Sequence, residues 1–119
     1  MQAIATKEAF NLEQVQDVLN EAAMQARTAA KQYLAEHGDR DACGFAWVDV
    51  YGVRSNSKLG KALIAAGFSK SYTGSLQLWN PSKAYVQSVS VLEAGAYAYA
   101  EVLKDRLGLE RCYAGSRLD

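Results

Sequence analysis

The sequence predicts a small α+β domain: a long N-terminal helix, then a β-α-β-(β)-α-β two-layer arrangement with helices on one face of a short mixed or antiparallel sheet. Three observations predict it. Residues 11–37 repeat apolar positions at three–four spacing between a capping residue and a glycine. Residues 44–51 alternate with a period of two. Residues 90–107 return to helical spacing, again between a cap and a glycine. The 119 residues suffice for one domain with its own core and are too few for two.

Residues 1–10 carry little pattern and read as a loose tail, leaving 11–119 as a single domain. Asn11 has the chemistry of an N-cap, with Gln14 completing a capping box and Phe10 and Val15 placed as a hydrophobic staple. In the helix that follows, Leu12, Val15, Leu19, Ala22, Ala26, Ala29 and Tyr33 form one stripe. Acidic Glu13, Asp17 and Glu21 precede basic Arg27 and Lys31, as the helix dipole favours. His37-Gly38 ends it. The alanine-rich stripe permits close helix–helix approach, satisfied within the chain or by a second copy, in which case residues 11–37 are an oligomerisation arm of a homodimer.

In the strand, Phe45, Trp47, Asp49 and Tyr51 fall on one face and Ala46, Val48 and Val50 on the other. Gly52 breaks it, and the turn Arg54-Ser55-Asn56-Ser57-Lys58 opens a helix to about Ala66. Gly67 stops that helix, with Phe68 folding back on Leu63 as a Schellman ending requires. A polar stretch, Ser69 to Gly74, leads to a strand over Ser75–Trp79, which Asn80-Pro81 terminates. Tyr85–Ser88 reads as a further short strand. Ser90 and Glu93 make a second capping box, opening a helix to Leu107 whose polar stripe is limited to Glu93, Tyr97, Glu101 and Lys104; Gly108 closes it. Arg111–Ala114 forms the last strand and leads into Gly115-Ser116-Arg117-Leu118-Asp119.

Composition excludes several classes. Half the residues are hydrophobic and there is one proline, which argues against disorder. Thirteen basic residues against thirteen acidic ones lack the strongly basic footprint of dedicated DNA-binding domains. No segment has the length of apolar run a membrane span needs, and no leader pattern stands at the N-terminus, so the expected location is the cytoplasm, away from membranes. Cys43 and Cys112 fit neither a disulfide framework nor metal-ligand spacing, so no metal and no cofactor are expected. One histidine, no HExxH, GxSxG, Walker loop or GxGxxG, and an isolated strand carboxylate in Asp49 favour a protein that is not an enzyme.

Charge is uneven along the chain. From Arg54 to Lys83 every charged residue is basic: Arg54, Lys58, Lys61, Lys70 and Lys83. At a helix start, hydroxyls and cations suit an anion, although an ordinary cap at Ser55 or Ser57 with solvated cations around it accounts for the same residues. Trp79 and Asn80 add an aromatic plane and an amide, the set that stacks a base and reads its edge. Arg117 and Asp119 complete the candidate ligand site of Arg54, Ser57, Lys58, Trp79, Asn80, Arg117 and Asp119. The aromatic strand face, extended by Gln77 and Trp79, is a second candidate surface.

The stretches Cys43-Gly44-Phe45-Ala46-Trp47-Val48, Lys58-Leu59-Gly60-Lys61, Leu78-Trp79-Asn80-Pro81-Ser82, Ala94-Gly95-Ala96, Ala100-Glu101-Val102-Leu103 and Gly115-Ser116-Arg117-Leu118-Asp119 resemble a family of small, largely uncharacterised proteins of tailed bacteriophages and prophages. The resemblance runs from Ala42 onward and implies a phage origin and an infected bacterial host, with no mechanism attached. Together these readings lead to the expectation of a phage protein that binds, and sequesters, a phosphate-bearing small molecule such as a cyclic or modified nucleotide immune signal, in counter-defence. The alternative is an interaction module that binds single-stranded nucleic acid, with Trp79 or Trp47 as the stacking platform, or that inhibits a host protein.

Overall fold

A computed structural model describes residues 11–40 and 42–119; the expected tail and the Phe10 half of the staple lie outside them. The elements are α1 (Leu12–His37), β1 (Gly44–Val50), α2 (Lys58–Ala65), β2 (Ser69–Lys70), β3 (Leu76–Trp79), α3 (Val89–Leu107) and β4 (Cys112–Leu118). The predicted α+β class holds, and of the two sheet types left open the antiparallel one is found. Strand order is β2-β3-β1-β4 with every pairing antiparallel.

The helix boundaries follow from their caps. The Asn11 side chain accepts from the Glu13 N–H, and Gly38 takes φ +75 at the other end. Ser57 caps α2 by accepting from Gly60 N–H. At its far end Phe68 N–H donates to Leu63 C=O and Gly67 N–H to Ile64 C=O, the expected Schellman pair. The third helix departs from expectation: Ser88, not Ser90, is the cap, its hydroxyl accepting from Val91 N–H. Ser88 is held in that role by long-range bonds, its N–H donating to the Asp39 carboxylate and its backbone bridging to Cys43. That bridge is also all that remains of the strand expected over Tyr85–Ser88. The alternation is there, Tyr85 and Gln87 exposed and Val86 and Ser88 turned inward, but the backbone pairing is confined to residues 87–89, too short a ladder to make a strand.

Helices cover one sheet face. Ala46, Val48 and Val50 of β1, Leu76 and Leu78 of β3 and Cys112 of β4 point into the same core as Leu63, Leu103 and Leu107. Leu63 and Leu103 are completely buried, and truncating either to Ala would cost about 2–5 kcal/mol. Helix α3 lies on β1 and β4, while α1 packs along α3 and against α2. The alanine stripe is satisfied within the chain: Ala22 and Ala26 are fully buried, and a Cβ on Gly95 of α3 would sit 3.3 Å from the Ala26 carbonyl oxygen and 2.7 Å from Ser82 Cβ. Arg106 of α3 donates to the Glu21 carboxylate of α1 at the edge of this contact. Among the described residues no helix lies on the other sheet face.

Candidate functional site

The uncovered face is built by the period-two alternation. Phe45, Trp47 and Asp49 of β1 lie opposite Arg117, Gly115 and Tyr113 of β4; on the other side, Trp47 and Asp49 lie opposite Trp79 and Gln77 of β3. Five aromatic rings lie there, in a group of three and a pair. Trp47 and Trp79 have centroids 4.9 Å apart, Phe45 meets Trp79 edge-on at 6.0 Å, and Tyr51 lies 6.2 Å from Tyr113. Two guanidiniums cap the ends, Arg117 over Phe45 at 5.5 Å and Arg111 over Tyr51 at 5.3 Å. Trp79, Phe45 and Tyr113 remain 45%, 39% and 51% exposed.

At the centre the Asp49 carboxylate accepts from Trp47 Nε1, Ser75 Oγ and Gln77 Nε2, each at 2.9 Å. Gln77 in turn accepts from Trp79 Nε1 at 2.6 Å. Both indole N–H groups are thus engaged with neighbours, fixing the rings and leaving their π-surfaces as what the face offers. Gly115 makes the arrangement possible, because the Trp47 indole lies where a Cβ would be, 2.6 Å from Nε1.

Two grooves flank this face at opposite ends of β1, whose seven residues separate them by about 20 Å. One, of about 820 Å3, is lined by Gly52, Val53, Arg54, Ser55, Asn56, Lys70, Ser71, Gly74, Ser75 and Leu76; two cations and several polar groups face it, and no carboxylate. The other, of about 380 Å3, includes Cys43, Phe45, Trp79, Asn80, Gln87 and Asp119.

The seven predicted ligand residues therefore do not share one hollow. Trp79, Asn80 and Asp119 meet in the smaller groove, with Arg117 next to it over Phe45, while Arg54 belongs to the larger groove at the far end. Lys58 is exposed on α2. Ser57 is occupied by structure, its hydroxyl donating to Arg54 C=O at 2.6 Å while capping the helix. The amide of Asn80, expected to read a base edge, instead holds a turn: at φ +47 it donates to Ala84 C=O and accepts from Ser82 Oγ.

Three residues outside the predicted site also face it: Tyr113 lies opposite Asp49 on β4, Arg111 stacks over Tyr51, and Lys70 of the two-residue β2 lines the larger groove; β4 itself extends past the expected Ala114 to Leu118. A glycine inside a strand signals close approach by a neighbour, which was the available clue.

Neither cysteine is set up as a nucleophile by its surroundings. Burial pushes the Cys112 thiol up to about 12, Lys104 opposing and Asp49 and Glu101 adding to the effect. Cys43 is exposed and donates to Gln87 Oε1. Among the described residues no cluster of three or more His, Cys, Asp or Glu could hold a metal, and no helix is long and apolar enough to cross a membrane. No family model matches the chain, and no curated protein or solved structure matches it either.

Proposed function

We propose that the protein binds single-stranded nucleic acid across the open sheet face, bases stacking on Trp79, Phe45 and Tyr113 while Arg54, Lys70, Arg111 and Arg117 hold phosphates. The observation that carries this reading is the set of five aromatic rings on one sheet face, in two groups, flanked by cations at both ends. A span of about 20 Å accommodates several nucleotides and exceeds a single nucleotide. The one carboxylate at its centre is engaged by three donors. The resemblance to phage proteins supports a role in the cytoplasm of an infected bacterium.

The test is titration of a labelled oligothymidine and of a duplex of equal length, followed by fluorescence anisotropy. Four phosphate contacts give a slope of log affinity on log salt near −3, so affinity falls about 50-fold between 50 and 200 mM salt. Trp79→Ala weakens single-strand binding about 5–150-fold, the equivalent of one stacked base. Absence of binding at low salt, or equal affinity for the duplex, refutes the reading.

A second reading, a phosphate-bearing small molecule such as a nucleotide signal held and sequestered in counter-defence, is favoured by one feature: the groove at Arg54 and Lys70 is free of carboxylates. Thermal stabilisation by mononucleotides or cyclic nucleotides, reaching about 2.7 kcal/mol at a hundred times Kd, without oligonucleotide binding, selects it.

A further inference from the structure

The two edges of the sheet are unlike. At one side the sheet ends in β2, only two residues long, which is one of the ways sheets avoid pairing with other chains. At the other it ends in β4, seven residues that pair with β1 position for position, without a bulge, and that contain neither proline nor lysine. At its start Cys112 is wholly buried; from Tyr113 onward, among the described residues, the single charge of Arg117 is the one device that blunts the edge.

The ladder fixes which groups of β4 point outward. Tyr51 N–H donates to Arg111 C=O and Asp119 N–H to Cys43 C=O. Antiparallel pairs alternate between hydrogen-bonded and non-hydrogen-bonded, so Tyr113, Gly115 and Arg117 turn their backbone groups toward β1. Cys112, Ala114, Ser116 and Leu118 turn theirs away from it. Beside this row stand large exposed side chains: Tyr113 at 51%, Leu118 at 65%, and Tyr97 of α3 at 59%, which shares a small cavity with Ala114, Gly115 and Ser116.

We propose that the chain forms a two-fold homodimer by antiparallel pairing of β4 with β4 of a second copy, the axis passing through Gly115. This occupant is favoured because the accessible middle of the strand is complementary to itself. With Gly115 opposite Gly115, Ala114 faces Ser116 of the second copy and Ser116 faces its Ala114, and both are incompletely buried residues whose N–H and C=O point outward; Cys112 is wholly buried and stays out of the pairing. The register centred on Gly115 therefore joins the outward groups of Ala114 and Ser116 in both copies. On the open face the same register sets Tyr113 beside Arg117 of the second copy, an aromatic–guanidinium pair made twice. A two-fold axis normal to the sheet keeps both open faces on one side, so the two aromatic layers become one eight-stranded surface. The dimer stands on the edge geometry and does not depend on what that surface binds.

Sedimentation velocity across a concentration series, with amide hydrogen exchange at both extremes, tests it. The expected result is a species of about twice the 13.0 kDa chain mass, with the Ala114 and Ser116 amides gaining protection as it forms. Ser116→Pro removes an outward N–H at the centre of the pairing and should return the monomer, whereas Ser116→Ala, which loses only the hydroxyl bond to Glu93, should remain dimeric. A monomer at every concentration up to about 1 mM, a dimer whose Ala114 and Ser116 amides exchange freely, or a dimer that survives Ser116→Pro overturns the proposal. The exchange measurement on the unaltered protein decides the matter even if a proline variant fails to fold.

Discussion

Gly115→Ala should destabilise the protein although the position lies in a strand and takes no left-handed conformation. The new Cβ would lie 2.6, 2.7 and 2.9 Å from Nε1, Cε2 and Cζ2 of Trp47. All three contacts are too short to survive, and the atoms belong to a rigid ring with Trp79 beside it at 4.9 Å. Trp47 must swing out, giving up its bond to Asp49. Overpacking costs about 1–3 kcal/mol, and losing a hydrogen bond to a charged acceptor about 1.5–3 kcal/mol. Restricting the unfolded chain returns about 0.4–1 kcal/mol. Because Trp47 is half-buried and can move toward solvent, the lower part of these ranges applies, leaving a loss of about 2–3 kcal/mol, or roughly 10 °C in Tm for a domain of this size. Urea unfolding followed by tryptophan emission measures it. The decisive control is a double-mutant cycle: in a Trp47→Ala background the same glycine replacement meets no ring and should be neutral or slightly stabilising. A wild-type Tm and unshifted emission for Gly115→Ala, or equal losses in both backgrounds, would refute the placement of the indole over β4.

Three further outcomes are expected. Ser57→Ala removes the cap of α2 and lowers stability by about 0.5–2 kcal/mol in denaturant titration, while oligonucleotide affinity stays unchanged because the hydroxyl is committed to Gly60 and Arg54. Burial raises the Cys112 thiol from 9.0 to about 12 and also raises the Tyr99 phenol. Both groups are neutral when protonated, so their contribution is complete below the unfolded value and is lost as pH climbs from about 9 toward 12; stability measured across that window should fall, and Cys112→Ala should flatten the fall. Asp49→Asn keeps the shape but aims an amide donor at one of three donors, from Trp47, Ser75 and Gln77. It should therefore cost about 1–3 kcal/mol in denaturant unfolding, more than an isosteric surface change, and a neutral result would contradict the hydrogen-bond network.

Local chemistry made most of the fold legible. Asn11, Gly38, Ser57, Gly67 and Gly108 act where their side chains or backbone freedom place them, because a cap is satisfied within a few residues of itself. Alternation in β1 likewise separated the aromatic from the aliphatic face. What could not be read locally depended on distant partners. Ser88 and Ser90 are equally good caps by type, and the choice is made by Asp39, forty-nine positions away. The strand at Ser69-Lys70 exists only because Gln77 and Leu76 lie opposite it. Asn80 carries the residue type of a base reader, yet the turn it closes consumes both ends of its amide. The candidate site divided for the same reason: sequence proximity joined Arg54 to Trp79, while the ladder sends the two to opposite ends of β1 and β3.

The hydrogen bonding of the open face says something about the kind of recognition it suits. Reading a base requires donors and acceptors left free to meet its edge. Here the polar groups nearest the rings are committed to one another: both indole N–H groups, the Gln77 amide and the Asp49 carboxylate form one closed chain from Trp79 to Ser75. Asn80 is committed to its turn. Aromatic planes and cations remain, and stacking on a plane is tolerant of base identity because every base has a π-face. A surface of this construction should hold strands with modest preference among sequences, and its affinity should respond more to salt and to loss of Trp79 than to any change of base.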